Sequence, residues 1–514
     1  MQQANRNFFT NIIHLIVNVV VGVLYTPYLV RSVGVIAYGV VPLALVINQY
    51  INVISLSLVN ALTRFYSVEY RNGNMEKASK YFSTSIVVGI VFSLILYPLL
   101  HIAINYVDMF FDIPNNLLGE SKLLFRFTVA SFFLSILSNC VNITLFADNL
   151  LDYVNYLKVT RQALKFLLNI GFFVFLQTNI LYIGLANFIA ELAVLLLSIY
   201  FYKITKPSRI HFQFLLYNKI YLISMLSMVS WVLVQRFSDT FLYKIDSILM
   251  NVYFGIKMTG IIGAVSEFGS YVTSITTILS SLFAPLLLIA YSKKNEANYR
   301  LMTVEGSYIV GLFTGLLCAL LCGSSSTLLS IWLGSDFEGY GLWLVLKIVV
   351  IPYTTAGAMF ANSYLYANYN KRPALISLVL AACNVLVNIG FLHFFHSVDM
   401  FLIVCLIFVI MQGLYMNVWF YNRLYRGDLT KIFLNVGKFT LYMIVISLTT
   451  FALDSVFNIH TLVQLFVVYI IIFILGFIVL DTVFLNQTHR KLLYEVIPVY
   501  GSIRLFITSK FKKQ

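Results

Sequence analysis

Apolar stretches follow one another along almost the whole chain, separated by short polar connections. A bilayer-spanning helix needs about 20 mainly apolar residues. Fourteen stretches read this way: 8–30, 36–63, 81–106, 122–147, 157–178, 180–202, 220–250, 258–290, 302–325, 341–367, 374–395, 400–422, 438–457 and 462–485. The seventh and eighth are long enough to tilt or to extend past the hydrocarbon. None alternates in the roughly ten-residue units of an outer-membrane barrel. Lipid offers no partner to backbone polar groups, so the spans must be α-helices. The first run, Ile12–Val30, contains Pro27 and lacks a small-residue cleavage site. It reads as a retained helix, not as a signal peptide. The expected class is an all-α membrane protein with about fourteen transmembrane helices.

Composition agrees. Of 514 residues, 60% are hydrophobic and 11% charged, against about 25% charged in soluble domains. No polar stretch reaches about 50 residues, the low end of domain size, which argues against a globular hydrolase or glycosyltransferase head. The five cysteines, Cys140, Cys318, Cys322, Cys383 and Cys405, fall inside apolar spans without a ligand-like pattern. No metal or other cofactor is expected. The net charge of +14 is mostly dispersed among loops on one side, so it says little about nucleic acid, and no nucleic-acid partner is expected. Only Arg31, Lys122, Arg126, Arg236, Lys244, Lys257 and Lys347 depart from that side, and Asp108, Asp112, Glu120, Asp336, Glu338, Asp399 and Asp454 mark the opposite loops. Basic loops stay inside, so both termini are expected in the cytoplasm of a multi-pass cell-membrane protein. The tail 486–514 mixes basic and apolar residues and is expected to lie on the anionic inner leaflet.

Two segments correspond at an offset of 221 residues: LVRSVGVIAYG (29–39) and MNVYFGIKMTG (250–260), aligning Gly34 with Gly255 and Gly39 with Gly260. The basic loops 71–80 and 292–301 follow at the same spacing. A six-span unit repeated in parallel orientation results. The expected division is an N-terminal lobe 1–219, a C-terminal lobe 220–435, two added helices 436–485 and a cytoplasmic basic tail 486–514.

One apolar span carries several charges. In SWVLVQRFSDTFLYKIDSI (230–248), Arg236, Asp239, Tyr243 and Asp246 share a helix face, with Lys244 turned about 80° away from Arg236. Ionisable groups at membrane depth are costly and usually face a cavity or a partner. Arg236 and Asp239, at i,i+3, either neutralise one another or serve separate roles.

The chain resembles the polysaccharide (O-antigen-type) flippases of the multidrug/oligosaccharidyl-lipid/polysaccharide superfamily. The resemblance covers nearly all of it. It rests on the 6+6+2 arrangement, on the corner VGVIAYG (33–39), and on the long seventh span with Asp246 nine residues before Gly255, DSILMNVYFG. It implies two MATE-like lobes around a central cavity lined by spans one, two, seven and eight. The implied activity is movement of an undecaprenyl-pyrophosphate-linked sugar unit to the outer leaflet, coupled to H+, Na+ or the membrane potential. Implied partners are the lipid-linked oligosaccharide, membrane lipids, a polysaccharide polymerase and glycosyltransferases.

Such a carrier needs cations and hydrogen-bond donors for the pyrophosphate and no nucleophile. Span one offers Asn7, Asn11, His14, Asn18 and Tyr25 on one face; span two offers Asn48, Asn52, Ser55 and Thr63 with Arg64 at its end; span four holds Arg126. The substrate-binding candidates are Arg236, Arg64, Arg126, Asn18, Asn52 and Tyr25. Candidates for coupling or charge pairing are Asp239, Asp246, Glu267, His14 and Lys244. Each has a plainer alternative. Polar stripes also join helices through hydrogen bonds, His14 also suits packing, Arg64 anchoring, Arg126 snorkelling and Glu267 cross-helix pairing. Glu191, Glu305 and Lys347 are further buried candidates. The rival readings are a multidrug/cation antiporter of the same superfamily, a lipid II flippase, and a membrane polysaccharide polymerase. Outer loops of about 15 residues or fewer count against the polymerase, and an activity other than an enzyme's is expected.

Overall fold

The computed structural model of the chain describes residues 2–205, 219–367, 369–457 and 459–496. They form helices throughout: α1 (Gln2–Val33), α2 (Val35–Tyr38), α3 (Val40–Arg71), α4 (Met75–Asn105), α5 (Leu118–Ala147), α6 (Leu151–Phe175), α7 (Ile180–Thr205), α8 (Lys219–Ser292), α9 (Glu296–Gly323), α10 (Ser325–Leu333), α11 (Gly341–Ile348), α12 (Ile351–Tyr366), α13 (Lys371–Phe395), α14 (Val398–Ile410), α15 (Asn417–Tyr425), α16 (Leu429–Phe457), α17 (Leu462–Val479) and α18 (Gln487–Val496). Eleven described stretches are long and apolar enough to cross a membrane. One of them, Leu233–Ser292, contains both arms of α8, which meet at a non-helical Gly255. The rods α3 and α6 lie outside that set, α6 because Asp152, Lys158, Arg161 and Lys165 interrupt its apolar run. Fourteen rods result, and this is a multi-pass all-α membrane protein.

Contacts divide the chain into two units, Met1–Ala264 and Val265–Gln514. The first holds an interlocked pair of corners. Gly34 ends α1 with φ 79 and ψ 157, and Gly255 breaks α8 with φ 80 and ψ 178. Only glycine adopts this region readily. Five residues beyond each, the chains touch. A Cβ on Gly39 would stand 2.2 Å from the carbonyl oxygen of Ile256, and one on Gly260 would stand 2.3 Å from that of Val35. Residues 35 and 256 are themselves 221 apart, so the two contacts are images of one another. Buried Asn251 adds a clamp: its Nδ2 donates to the Asp112 carbonyl at 3.2 Å and its Oδ1 accepts from the Asp112 N–H at 2.7 Å. These contacts explain why the first arm of α8 clusters with α1–α7.

Further elements recur. The turn closing α3 runs through Gly73 (φ 79), and the turn closing α8 through Lys294 (φ 53). In the first, Gly73 N–H donates to the Tyr70 carbonyl and Asn74 N–H to that of Glu69; in the second, Lys294 and Asn295 donate to Tyr291 and Ala290 in the same register. The run Asn-Ile-Gly-Phe occurs at 169–172 in α6 and at 388–391 in α13. Both asparagines are fully buried, and each donates its side-chain amide to the carbonyl four residues earlier, at 3.0 Å and 2.9 Å.

In the second unit, α9 is the most enclosed rod, with 78% of its apolar window buried. The added helices α16 and α17 pack into the same core, where Phe439, Tyr442, Met443, Ile446 and Ile472 meet Tyr308, Leu312 and Leu316 of α9. The tail departs from the leaflet-bound segment expected of it. Its first part is α18, whose Leu492, Leu493 and Val496 are buried in this core. His489 Nδ1 accepts from the Asn486 N–H at 3.2 Å, which leaves Nε2 as the protonated nitrogen facing Glu305 Oε2 at 2.8 Å. Lys431 also pairs with Glu305. A helix so tied to buried polar groups is integral to the fold. Residues 497–514 lie outside the described residues.

Candidate functional site

The densest polar arrangement in the first unit lies along α1, α6 and α7. Helix α6 carries Lys158, Arg161 and Lys165 at i, i+3 and i+7, which is one face. Lys165 stands fourteen residues after Leu151, or about 21 Å along the axis. The sequence counts these cations with the basic side although they fall within the span 157–178; the helix begins at Leu151, so they lie on its wall.

Helix α1 presents its polar stripe to that wall. At the first level Arg6 meets Asp152 at 2.7 Å, with the carboxylate fully buried. Gln3 Nε2 also donates to Asp152 Oδ1 at 2.7 Å, Asn7 Oδ1 accepts from the Asp152 N–H at 3.0 Å, and Asn155 Nδ2 donates to Thr10 Oγ1 at 3.1 Å. A buried carboxylate is tolerable only when satisfied in this way. This level joins the helices and uses up its charges.

The next level differs. His14 faces Lys158 and Arg161. Arg161 Nε approaches Glu191 Oε1 of α7 at 2.7 Å. Among the described residues Lys158 makes no ion pair. Asn18 Oδ1 accepts from Gln162 Nε2 at 3.0 Å. Deepest, Lys165 Nζ lies 5.2 Å from the centre of the Tyr25 ring, a cation–π distance. The Tyr25 hydroxyl accepts from Asn169 Nδ2 at 2.6 Å. Among the described residues Glu191 thus faces Arg161 and Lys165, and His14 faces Lys158 and Arg161. The arrangement suits an anion. Among the described residues no three His, Cys, Asp or Glu are grouped to hold a metal.

The structure brings His14, Asn18 and Tyr25 together with α6 and places the other sequence candidates elsewhere. Arg236 is exposed on the first arm of α8. Asp239 accepts from Gln235 Nε2 at 3.1 Å, and among the described residues Arg236 makes no ion pair, so the two are not a neutralising couple. Asp246 is 3% exposed and its Oδ1 accepts from the following Ser247 N–H at 2.9 Å. Lys244 is half-buried on the same arm. Arg126 donates to Asn105 Oδ1 at 2.7 Å. The side chains of Arg64 and Asn52, both on α3, lie outside the described residues. Glu267 is half-buried on the second arm of α8, in the other unit. At the repeat offset of 221, His14, Asn18 and Tyr25 correspond to Gln235, Asp239 and Asp246. The two polar faces read separately in sequence are therefore copies of one stripe. The α6 ladder was missed, although its i, i+3, i+7 spacing was the signal.

No protein-family model matches the chain. Among curated proteins it is 26% identical over 385 residues to "Uncharacterized membrane protein EpsK" of Bacillus subtilis (strain 168), covering 74% of this chain and 76% of that one. Among solved structures, lipid II flippase MurJ in an inward closed conformation superposes with a TM-score of 0.67 at 13% identity, covering 96% of this chain and 99% of MurJ. The MATE multidrug transporter DinF-BH in complex with R6G gives 0.66 at 15% identity, covering 83% and 96%. An inward-facing multidrug resistance MATE family transporter gives 0.63 at 13% identity, covering 80% and 94%. At these identities the likeness is one of fold. The chain has a MATE-like fold.

Proposed function

We propose that this protein is a flippase that carries undecaprenyl-pyrophosphate-linked oligosaccharide units across the cell membrane by alternating access, for assembly of a cell-surface polysaccharide. The observation that carries the reading is the cation surplus of α6. Arg161 and Lys165 face the carboxylate of Glu191, and His14 faces Lys158 and Arg161. A diphosphate needs such a wall to cross a low-dielectric layer, because an ion left uncompensated there costs several kcal/mol. A cationic drug would be repelled by it. Arg161 supplies a planar fork for phosphate oxygens, and Lys158 and Lys165 supply point charges. Gln162 and Asn18 add polar groups at the same level. Arg236, exposed on α8, is a second cation open to the same class of substrate.

On this reading the basic loops and both termini are cytoplasmic, coupling is to H+, Na+ or the membrane potential, and the chemistry requires no cofactor and no enzymatic step. Glycosyltransferases would supply the lipid-linked unit and a polymerase would consume it. A lipid II flippase is the second reading. It presents the same lipid diphosphate, and the MurJ structure covers 96% of this chain where the MATE structures cited above cover 80% and 83%.

Complementation tests the proposal. In a host lacking its polysaccharide flippase, the protein should restore surface glycan, and Arg161→Ala with Lys165→Ala should not, at equal protein level. Rescue of lipid II flippase depletion instead would select the second reading. Resistance to cationic dyes without glycan would overturn both.

A further inference from the structure

The contact between α6 and α7 has features that a purely structural ion pair lacks. Arg161 and Glu191 meet through a single 2.7 Å approach, from Nε to Oε1. A structural pair of this type is commonly a two-pronged fork. The second oxygen, Glu191 Oε2, is buried with no hydrogen-bond partner among the described residues. The two ends also differ in access: the Glu191 side chain is 14% exposed and that of Arg161 is 32% exposed. The acid is therefore the more enclosed end, and Arg161 Nε is itself buried without an aligned hydrogen bond, while the Arg161 side chain as a whole stays partly exposed.

The remaining charges around Glu191 are few. From α6 it faces Arg161 and Lys165. Helix α5 also packs on α7, but its charges, Glu120, Lys122 and Arg126, end near the level of Gly184, seven residues before Glu191. His14 of α1 acts on the same Arg161.

We propose that Glu191 is the positioning acid of this site. Ionised, it holds Arg161 against α7. When it takes a proton from water, Arg161 is released to the phosphate oxygens of the substrate, so that one proton enters as one anion binds. When the anion leaves, the proton is given up and the pair re-forms. This rests on the reading of the site as a diphosphate site and adds a linked protonation step to it. The sign is fixed: lower pH favours the bound state, and a permanently neutral side chain at 191 mimics it.

Equilibrium binding in nanodiscs of defined composition tests this, using the full chain and two probes. One is farnesyl-pyrophosphoryl-N-acetylglucosamine and the other is UDP-N-acetylglucosamine. Both carry a diphosphate diester whose charge is constant from about pH 8 to about pH 5.5. Wild type should bind roughly tenfold tighter at the lower pH, the worth of one charge-assisted hydrogen bond. Glu191→Gln should bind tightly at both. Glu191→Asp should keep the slope, and so should His14→Gln, which removes the imidazole that faces Arg161. A wild-type slope retained in Glu191→Gln, or a slope abolished by His14→Gln alone, overturns the proposal and leaves the flippase reading intact. A Glu191-dependent slope with the UDP-sugar, and no binding of the lipid probe, supports the switch and overturns the flippase reading. No binding of either probe overturns both.

Discussion

Helices α6 and α13 are related by sequence and not by charge. Both carry Asn-Ile-Gly-Phe, and in both the asparagine is fully buried and bonds back one turn. Aligned on that motif, Lys158, Arg161 and Lys165 of α6 correspond to Ser377, Leu380 and Asn384 of α13. Ser377 and Asn384 are fully buried, and Ser377 Oγ donates to Met416 Sδ at 3.5 Å. One copy has kept a packing surface and the other displays cations. What the copies share belongs to folding, and what they do not share is where substrate chemistry is to be sought.

The sharpest way to break that comparison is to convert one copy into the other. Lys158→Ser/Arg161→Leu/Lys165→Asn gives α6 the residues of α13. Three charge-assisted contacts of roughly 1.5–3 kcal/mol each are exposed to loss, so transport should fall at least about a hundredfold. Folded protein should still be recovered, because these side chains pack no core, but the melting temperature should fall by a few degrees, because Arg161→Leu leaves the enclosed Glu191 without its partner. Retained transport in a flipping assay would place the anion site elsewhere, with Arg236 as the next candidate.

The shared corners should respond in the opposite manner. Gly260→Val forces a side chain where even a Cβ would stand 2.3 Å from the Val35 carbonyl oxygen, a contact with backbone that cannot rotate away. Overpacking of this kind costs about 3 kcal/mol. The expected outcome is a large loss of folded protein on size-exclusion chromatography. Gly39→Val should match it, because its clash with the Ile256 carbonyl oxygen at 2.2 Å is the mirror contact. If only one of the pair is tolerated, the two corners are not energetically equivalent.

The buried asparagines grade the comparison more finely. Asn388→Ala removes bonds within α13 and a weak 3.4 Å bond to Cys405 Sγ of α14, and Asn169→Ala strips the donor from the Tyr25 hydroxyl, which is bonded at 2.6 Å. Each loss should cost about 1–2 kcal/mol. Asn169→Ala should be the more destabilising, and it alone should disturb transport, because Tyr25 supports Lys165. Equal melting shifts with no transport effect would separate Tyr25 from the site.

What was legible in the sequence follows from which forces are local. Rod number and class came through because an apolar run of fixed length has one solution in lipid. The glycine corners came through because positive φ and close approach both demand glycine, at positions 34, 39, 255 and 260. The charges of the site were harder. Lys158, Arg161 and Lys165 fall inside the span 157–178 but read only as part of the basic side, since an apolar run does not show that the helix starts as early as Leu151 and turns them toward α1 and α7. Asn18 and Tyr25 were correctly placed on one face, but Gln162 and Asn169, which they meet, are more than 140 residues away in the chain. Sequence offers no register for such pairs. The docking of α18 was hidden for the same reason: His489 and Glu305 are 184 residues apart.

The smallest expected effect concerns a turn that both copies build with different residues. After α3 the chain turns through Gly73 at φ 79, and after α8 through Lys294 at φ 53, with the same two closing hydrogen bonds. This is the pattern of a helix ended by a left-handed residue, where glycine avoids a Cβ penalty. Lysine at 294 bears that penalty, and its side chain is exposed. Lys294→Gly should therefore stabilise the second copy by about 1 kcal/mol, seen as a small rise in melting temperature. Gly73→Lys should lower it by a similar amount. Transport should be unchanged in both, because this turn is common to the two copies and the proposed site is not. A transport defect in Lys294→Gly at normal stability would show that the second copy also carries a working cation.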